Sequence, residues 1–138
     1  MDARKDRNML GKKIVVVDDE ESIRKTFFLI LNKKYRVYLA KDAQETLARF
    51  KGSSIDLLIV DFRLPDMTGV ELIARMREQG FRGEAMLISA HAELIEPGLL
   101  ARLRIGHFFA KPLDLNALNR SIDYLLHKEE IETLQMRV

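Results

Sequence analysis

The stretch Ile55–Gly69, IDLLIVDFRLPDMTG, decides the fold class and also raises the question of function. Its apolar run Leu57–Val60 is typical of a short buried strand. The run ends in Asp61, although burying an unpaired carboxylate costs several kcal/mol. Asp61 therefore stands at the strand end either because the chain reaches solvent there or because the carboxylate is placed to react.

Similar apolar runs recur along the chain and alternate with helical patterns. Beside Leu57–Val60, we predict strands at Lys13–Asp18, Tyr35–Ala40, Ala85–Ile88 and His107–Ala110. We predict helices at Ser22–Asn32, Asp42–Phe50, Gly69–Gln79, Glu93–Arg104 and from Leu113 onward. Short buried strands alternating with helices indicate an α/β fold, a doubly wound, five-stranded parallel sheet with helices on both faces.

Local signals mark several helix ends. Ser22 and Asp42 are the predicted N-caps of the first two helices, and Gly80 ends the third. Pro97 and Gly98 are expected to interrupt the fourth helix. The last helix is expected to bury a stripe of apolar residues: Leu115, Leu118, Ile122 and Leu125.

Length and composition bound the class of protein. The 138 residues suit one domain, and 47% hydrophobic with 32% charged residues is typical of a globular chain. The net charge of +2 is too small to indicate nucleic-acid binding. The chain has no cysteine, no apolar run near the ~20 residues of a membrane span, and no secretory signal pattern. We therefore expect a cytoplasmic protein with no membrane or nucleic-acid partner.

The chain divides into three predicted segments. Residues 1–12 form a basic arm that is expected to be disordered, residues 13–127 form the domain, and residues 128–138 extend its last helix. The end of that helix carries a faint heptad pattern of Tyr124, Ile131, Leu134 and Val138, which is short of the repeats that a coiled coil needs. Two interpretations stay open: a solvated extension, or a helix that forms a homodimer or leads to a downstream output domain.

Polar side chains follow four of the five predicted strands. They are Asp18, Asp19 and Glu20 after the first strand, Asp61 after the third, Ser89 after the fourth and Lys111 after the fifth. In doubly wound sheets, ligands bind at the carboxyl ends of the strands. The pattern therefore predicts a functional site at this edge, and scattered loop residues are a poor explanation for it.

The residue types at this edge suit phosphoryl transfer. Clustered carboxylates repel each other, and a hard cation such as Mg²⁺, which prefers carboxylate, water and phosphate oxygens, removes the conflict. A carboxylate beside the metal can become an aspartyl-phosphate, whose oxygens a hydroxyl (Ser89) and an ammonium (Lys111) can contact. Asp61 stands alone whereas Asp18 and Asp19 come as a pair, which favours Asp61 as the nucleophile and the pair as metal ligands.

At these residues the chain resembles the receiver domain of two-component response regulators, of the chemotaxis-type single receiver. The resemblance runs from about Lys13 to Leu126 and rests on four stretches in the family's order: VVVDDEESIR, DFRLPDMTG, LISAHA and FFAKPL. It implies a flavodoxin-like sheet with strand order 2-1-3-4-5. It also implies a phosphoprotein that receives its phosphoryl group from a sensor histidine kinase or a phosphotransfer protein.

The resemblance also implies a role for each site residue. Asp61 is the expected phosphoacceptor, and Mg²⁺ is expected to be bound by Asp61, Asp19, Asp18 through water, and the backbone carbonyl of Arg63. Ser89, Lys111 and Phe108 are the expected phosphoryl-contacting and switch residues, and the Lys111–Pro112 bond is expected to be cis. The face of the fourth helix, fifth strand and fifth helix would then change its affinity for a partner or output domain.

Arg63 and His91 depart from a plain receiver pattern. Both positions flank the expected path of a hydrolytic water, so their side chains are expected to modulate dephosphorylation. An exposed loop residue without that role is an equal alternative for His91.

Two other functions stay open. One is a phosphatase-type enzyme that forms an aspartyl-phosphate, but such enzymes of the haloacid dehalogenase kind carry a second acid where this chain has Arg63. The other is a receiver-like interaction module without phosphorylation, which would lack some of the acids or the lysine. We expect a phosphoacceptor that catalyses its own phosphorylation and slow dephosphorylation, and no enzyme beyond that.

Overall fold

The computed structural model describes residues 11–136, which contain five strands and five α-helices. The strands are β1 Lys13–Val17, β2 Arg36–Ala40, β3 Leu57–Asp61, β4 Glu84–Ser89 and β5 Ile105–Ala110. The helices are α1 Glu21–Leu31, α2 Ala43–Phe50, α3 Gly69–Glu78, α4 Pro97–Arg102 and α5 Leu115–Met136. Most of the predicted basic arm, residues 1–10, and the last two residues of the predicted extension lie outside the described residues.

All five strands form one parallel sheet in the order β2-β1-β3-β4-β5. This result confirms the predicted α/β class and the strand order. In the register of neighbouring strands, Val17 pairs with Val60 and Asp61 pairs with Ile88. The residues that follow β1, end β3 and β4, and follow β5 therefore meet at one edge of the sheet.

The sheet separates two apolar cores. Along β1, Val15 and Val17 face the core that α2, α3 and α4 cover, while Ile14 and Val16 face the core under α1 and α5. These four side chains are fully buried. Burial on both faces explains why the strands read as continuous apolar runs without alternation.

The second helix begins as predicted, whereas the first does not. A side-chain oxygen of Asp42 accepts a hydrogen bond from the Glu45 N–H at 2.8 Å, which is the geometry of an N-cap. The prediction of Ser22 as a cap is wrong, because α1 begins at Glu21 and Glu20 is its N-cap without a side-chain bond. Ser22 already lies inside the first turn.

The fourth helix is shorter than predicted. The segment contains a 3₁₀ turn at Ala92–Leu94 followed by α4, whose first position is Pro97. The predicted helical span is therefore interrupted, directly before Pro97, and Pro97 starts its second piece, since proline lacks only an N–H that the first turn leaves free. None of the α4 residues is buried.

The last helix differs from its prediction at its start. It buries Leu118, Ser121, Ile122, Leu125 and Leu126. The predicted burial of Leu115 is wrong: that side chain is 40% exposed, because it is the first residue of the helix, at the outer edge of the sheet. Over residues 11–136, no helix combines the length and the apolar character that crossing a bilayer requires.

The start of α3 lies so close to β3 that only glycine fits at its first position. A Cβ at Gly69 would lie 2.3 Å from the Asp61 carbonyl oxygen, whereas a Cβ at Gly98 in α4 would meet nothing within 4 Å. We expect Gly69→Ala to lower the free energy of unfolding by about 2–3 kcal/mol, because backbone must move.

The matched control is Gly98→Ala, which should raise the free energy of unfolding by about 0.5–1 kcal/mol, since alanine has the better helix propensity. Urea unfolding measures both changes. Equal stability of Gly69→Ala and the wild-type protein would contradict the close approach.

Candidate phosphorylation site

The carboxyl edge of the sheet holds buried polar residues that the apolar strands deliver there. Asp18 is fully buried, Asp61 is 6% exposed and Ser89 is 1% exposed. These three follow or end adjacent strands in the order β1, β3 and β4. The structure thus brings together the polar strand ends that the sequence predicted to meet.

Lys111 is the cation of this edge. Its Nζ lies 3.1 Å from Oδ2 of Asp61 and 3.1 Å from Oδ2 of Asp18. Its backbone N–H donates to the Ser89 carbonyl at 2.8 Å, which fixes the start of the side chain beside β4. Burial lowers the pKa of Lys111, but the two carboxylates outweigh burial and raise it, so the ammonium stays charged.

Asp18 is the least compensated of the carboxylates. Its Oδ1 accepts a hydrogen bond from the Glu20 N–H at 2.8 Å, while its buried Oδ2 has no hydrogen-bond partner among the described residues. The Lys111 ammonium at 3.1 Å from Oδ2 is an ion pair without the geometry of a hydrogen bond. Burial, with the charge of Asp61 adding to it, raises the pKa of Asp18 to about 6.

The acidic cluster has the form of a cation site. Carboxylate oxygens of Asp18, Asp19 and Asp61 all lie within 4.8 Å of one another. Three carboxylates face one ammonium, and one buried oxygen lacks a hydrogen bond. A hard divalent cation suits this donor set, because oxygen ligands are what Mg²⁺ prefers and the negative charge is in excess. The residues present therefore fit the metal that the resemblance implied.

The remaining predicted site residues lie around the cluster, on loops and on β5. The Arg63 N–H donates to Oδ1 of Asp61 at 3.2 Å, and its side chain is exposed. The His91 N–H donates to Oγ of Ser89 at 2.8 Å, while the imidazole points to Glu93 at 3.5 Å. Phe108 is half-buried on β5, against the core that α4 covers, and the Lys111–Pro112 bond is cis.

Glu20, which the sequence already placed at this edge, has a carboxylate oxygen 3.6 Å from Nζ of Lys111. Two other residues were missed by sequence reasoning. Arg24 on α1 donates to the Asp18 carbonyl at 2.7 Å. Asp66 in the loop after β3 bonds the start of α2. The position of Arg24, one turn into the helix that follows β1, is only a weak sequence signal for its contact with Asp18. No sequence signal pairs Asp66 with α2.

Comparison with known proteins places the chain in one family. The profile of the response regulator receiver domain matches residues 14–123, and the chain belongs to this family: it is a receiver domain of response regulators. The fold is shared with the response regulator protein TrrA from Thermotoga maritima, solved in complex with Mg²⁺-BeF. That structure is 25% identical and covers 83% of this chain and 99% of its own, with a TM-score of 0.73.

Two curated relatives differ in length. The chain is 30% identical to the alkaline phosphatase synthesis transcriptional regulatory protein PhoP of Bacillus subtilis over 88% of its own length, but spans only 51% of PhoP. It is 27% identical to the sporulation initiation phosphotransferase F of the same organism over 83% of its own length and 93% of that protein. The chain thus matches about half of one relative and nearly the whole of the other.

The buried position of Asp18 predicts an unusual pH dependence of stability in metal-free solution. Because its folded-state pKa is raised to about 6, the native state holds a proton that the unfolded chain has released, so stability falls as pH rises from about 4 to about 6. We expect Asp18→Asn to gain about 2–3 kcal/mol of unfolding free energy relative to the wild-type protein between pH 4 and pH 7.

Chemical denaturation in the presence of a chelator measures this gain. The control is Asp19→Asn, which removes an exposed carboxylate from the same cluster. A constant difference between Asp18→Asn and the wild-type protein over the whole pH range would contradict the prediction.

Proposed function

We propose that this receiver domain accepts a phosphoryl group on Asp61 in a Mg²⁺-dependent reaction and switches a partner surface in response. The observation that carries the proposal is the position of Nζ of Lys111, 3.1 Å from both Asp61 and Asp18 inside a buried carboxylate cluster. An ammonium held there contacts an oxygen of the acceptor carboxylate and offsets the negative charge of a phosphoryl group that is transferred to Asp61.

Asp18, Asp19 and Asp61, together with the carbonyl of Arg63, would hold the metal. Their carboxylate oxygens lie within 4.8 Å of one another, and Oδ2 of Asp18, which has no hydrogen bond among the described residues, supports a cation there. The Mg²⁺-BeF complex of TrrA supports the same metal by similarity. Mg²⁺, when bound, would neutralise the carboxylates and bind oxygens of the transferring group.

The chemical step forms one bond and breaks another. A carboxylate oxygen of Asp61 attacks phosphorus, the P–N bond of the donor phosphohistidine breaks, and the electron pair stays on the imidazole nitrogen, which takes a proton. Lys111 stabilises charge on the phosphoryl oxygens, and the hydroxyl of Ser89 binds another of them. The same residues would also catalyse slow dephosphorylation, in which a water oxygen attacks phosphorus, the bond from phosphorus to the Asp61 oxygen breaks, and inorganic phosphate leaves.

The switch would run from Ser89 to the surface through Phe108. The added charge of about −1.5 to −2 draws the Ser89 hydroxyl, and Phe108 follows into the space that is vacated. In the face made by α4, β5 and α5, α4 has no fully buried side chain and packs on the core through the half-buried Leu99 and Leu100, so we expect this helix to respond. A free-energy difference of about a few kcal/mol between two arrangements of this face is enough to change its affinity for a partner.

A sensor histidine kinase or a phosphotransfer protein is the proposed donor, and the cytoplasm the proposed location. The output is either an attached domain, as the length of PhoP supports, or a separate partner, as the similarity to the phosphotransferase supports. Helix α5 continues to Met136 with Leu134 63% exposed, so a solvated extension and a dimerising or linking helix both stay proposals.

We propose a phosphoacceptor and no enzyme that acts on a separate substrate. The exposed Arg63 stands two residues after Asp61, where a phosphatase of this chemistry would carry its second acid. The complete set of acids and lysine also argues against a module that has lost phosphorylation.

Phosphorylation is tested directly with acetyl phosphate and Mg²⁺. We expect the wild-type protein to gain the mass of one phosphoryl group, and Asp61→Asn to gain none, because the acceptor oxygen is lost. Lys111→Met should slow the reaction by about 10²–10³-fold, since it removes a preorganised charge from the transition state.

Intact-mass spectrometry follows the reaction, and beryllofluoride binding detected by NMR gives a second readout. Chelation of Mg²⁺ should abolish both signals. Phosphorylation of Asp61→Asn at the wild-type rate, or the absence of any response in the wild-type protein, overturns the proposed function.

The lifetime of the phosphoryl group is proposed to depend on Arg63 and His91. We expect His91→Ala to change the rate at which the phosphorylated protein loses its phosphoryl group, because the ring no longer shields or orients the attacking water. Phosphate release from the phosphorylated protein measures this rate. Glu93→Gln is the control, because it removes the partner of His91 and keeps the imidazole; equal rates for the wild-type protein and His91→Ala would favour the exposed loop residue.

A further inference from the structure

The loop between β3 and α3, residues 62–68, is tied to the neighbouring helix α2 by a single carboxylate. Oδ1 of Asp66 accepts a hydrogen bond from the Ala43 N–H at 3.1 Å, and Oδ2 accepts one from the Gln44 N–H at 2.8 Å. Ala43 and Gln44 are the first two residues of α2, whose N–H groups have no partner inside the helix. Asp66 thus bonds two residues that lie 23 and 22 positions earlier in the chain.

The anchor on the α2 side is rigid. Ala43 and Thr46 are fully buried, Phe50 is 5% exposed, and all three lie in α2. The backbone bonds from Gln44 and Ala43 overcome burial and lower the pKa of Asp66, so the carboxylate is charged near neutral pH. A negative charge at this end also interacts favourably with the helix dipole.

The loop that Asp66 holds is closed on itself. The Leu64 N–H donates to the Met67 carbonyl at 3.2 Å, and the Gly69 N–H donates to the Phe62 carbonyl at 2.7 Å. Arg63 and Thr68 form an antiparallel bridge across the loop. These bonds connect the half of the loop that carries Asp66 to the half that carries Phe62 and Arg63.

The half of the loop that carries Arg63 lies beside the proposed metal site. The Arg63 N–H donates to Oδ1 of Asp61 at 3.2 Å, and the carbonyl of Arg63 is the one proposed backbone ligand. A carbonyl ligand contributes only if the loop presents it at the coordination distance of the metal. Mg²⁺ tolerates little deviation from octahedral geometry, so the loop position affects its affinity directly.

We propose that Asp66 is a positioning residue for the metal site: it clamps the loop of Arg63 to the start of α2 and so presents the carbonyl to Mg²⁺. This inference rests on the proposed function. Because coupling between two sites is reciprocal, Mg²⁺ binding must in turn strengthen the bonds from Ala43 and Gln44 to Asp66.

Mg²⁺ affinity is the first test. Supporting groups behind a metal ligand typically change affinity by 10–100-fold, and we expect Asp66→Ala to bind Mg²⁺ about tenfold more weakly than the wild-type protein by calorimetric titration. Asp42→Ala is the matched control: it removes a carboxylate from the same helix end, where Asp42 bonds Glu45, but does not touch the loop. Its Mg²⁺ affinity should stay within about twofold of wild type.

Amide NMR gives a readout that a merely structural role would not move. In the wild-type protein, titration with Mg²⁺ should shift the Ala43 and Gln44 amide signals and slow their hydrogen exchange. Asp66→Asn keeps one acceptor oxygen and the size of the side chain. This second variant should lie between wild type and Asp66→Ala in affinity and retain only part of the shifts.

The outcomes separate the two proposals. Wild-type affinity in both Asp66 variants, or an equal loss in Asp42→Ala, overturns the positioning role and leaves the proposed function intact. The positioning role is also overturned if the wild-type protein binds Mg²⁺ but the amide signals of Ala43 and Gln44 do not change on titration. A wild-type protein that binds no Mg²⁺ overturns the proposed function and the positioning role with it.

Discussion

The contact of the Lys111 ammonium with Asp18 and Asp61, at 3.1 Å each, is the interaction on which the site depends. Two buried carboxylates at one sheet edge repel each other, and the ammonium offsets part of that repulsion. It does not complete the compensation, because Oδ2 of Asp18 has no hydrogen bond and Asp19 adds a third acid. The edge therefore carries excess negative charge, which the proposed cation would neutralise.

The apolar sheet allows this arrangement to persist. Strand β3 is buried at every position from Leu57 to Asp61, and its neighbours β1 and β4 are almost as apolar. Burial of such strands between two cores stabilises the fold by more than the carboxylate cluster destabilises it, as is common where function requires strain. The same burial raises the pKa of Asp18, so the core and the chemistry of the site have one cause.

The acidic loops are held from both faces of the sheet. Arg24 on α1 bonds the Asp18 carbonyl on one face, and Asp66 bonds α2 on the other. Close packing of Gly69 against the Asp61 carbonyl fixes the end of the loop between β3 and α3. In contrast, α4 on the proposed output face has no fully buried side chain and packs on the core through the half-buried Leu99 and Leu100.

The amino-acid pattern was sufficient for the strands, their parallel arrangement and the convergence of Asp18, Asp61, Ser89 and Lys111, because apolar runs and the residues that end them are local signals. It was also sufficient for the cap at Asp42. The errors at Ser22 and Leu115 lie at helix ends, where a shift of one turn changes a residue's role.

The bonds of Asp66 to the start of α2, 22 and 23 residues earlier in the chain, arise only when the folded chain brings distant segments together. No local periodicity encodes such contacts, since each depends on the paths of several loops at once.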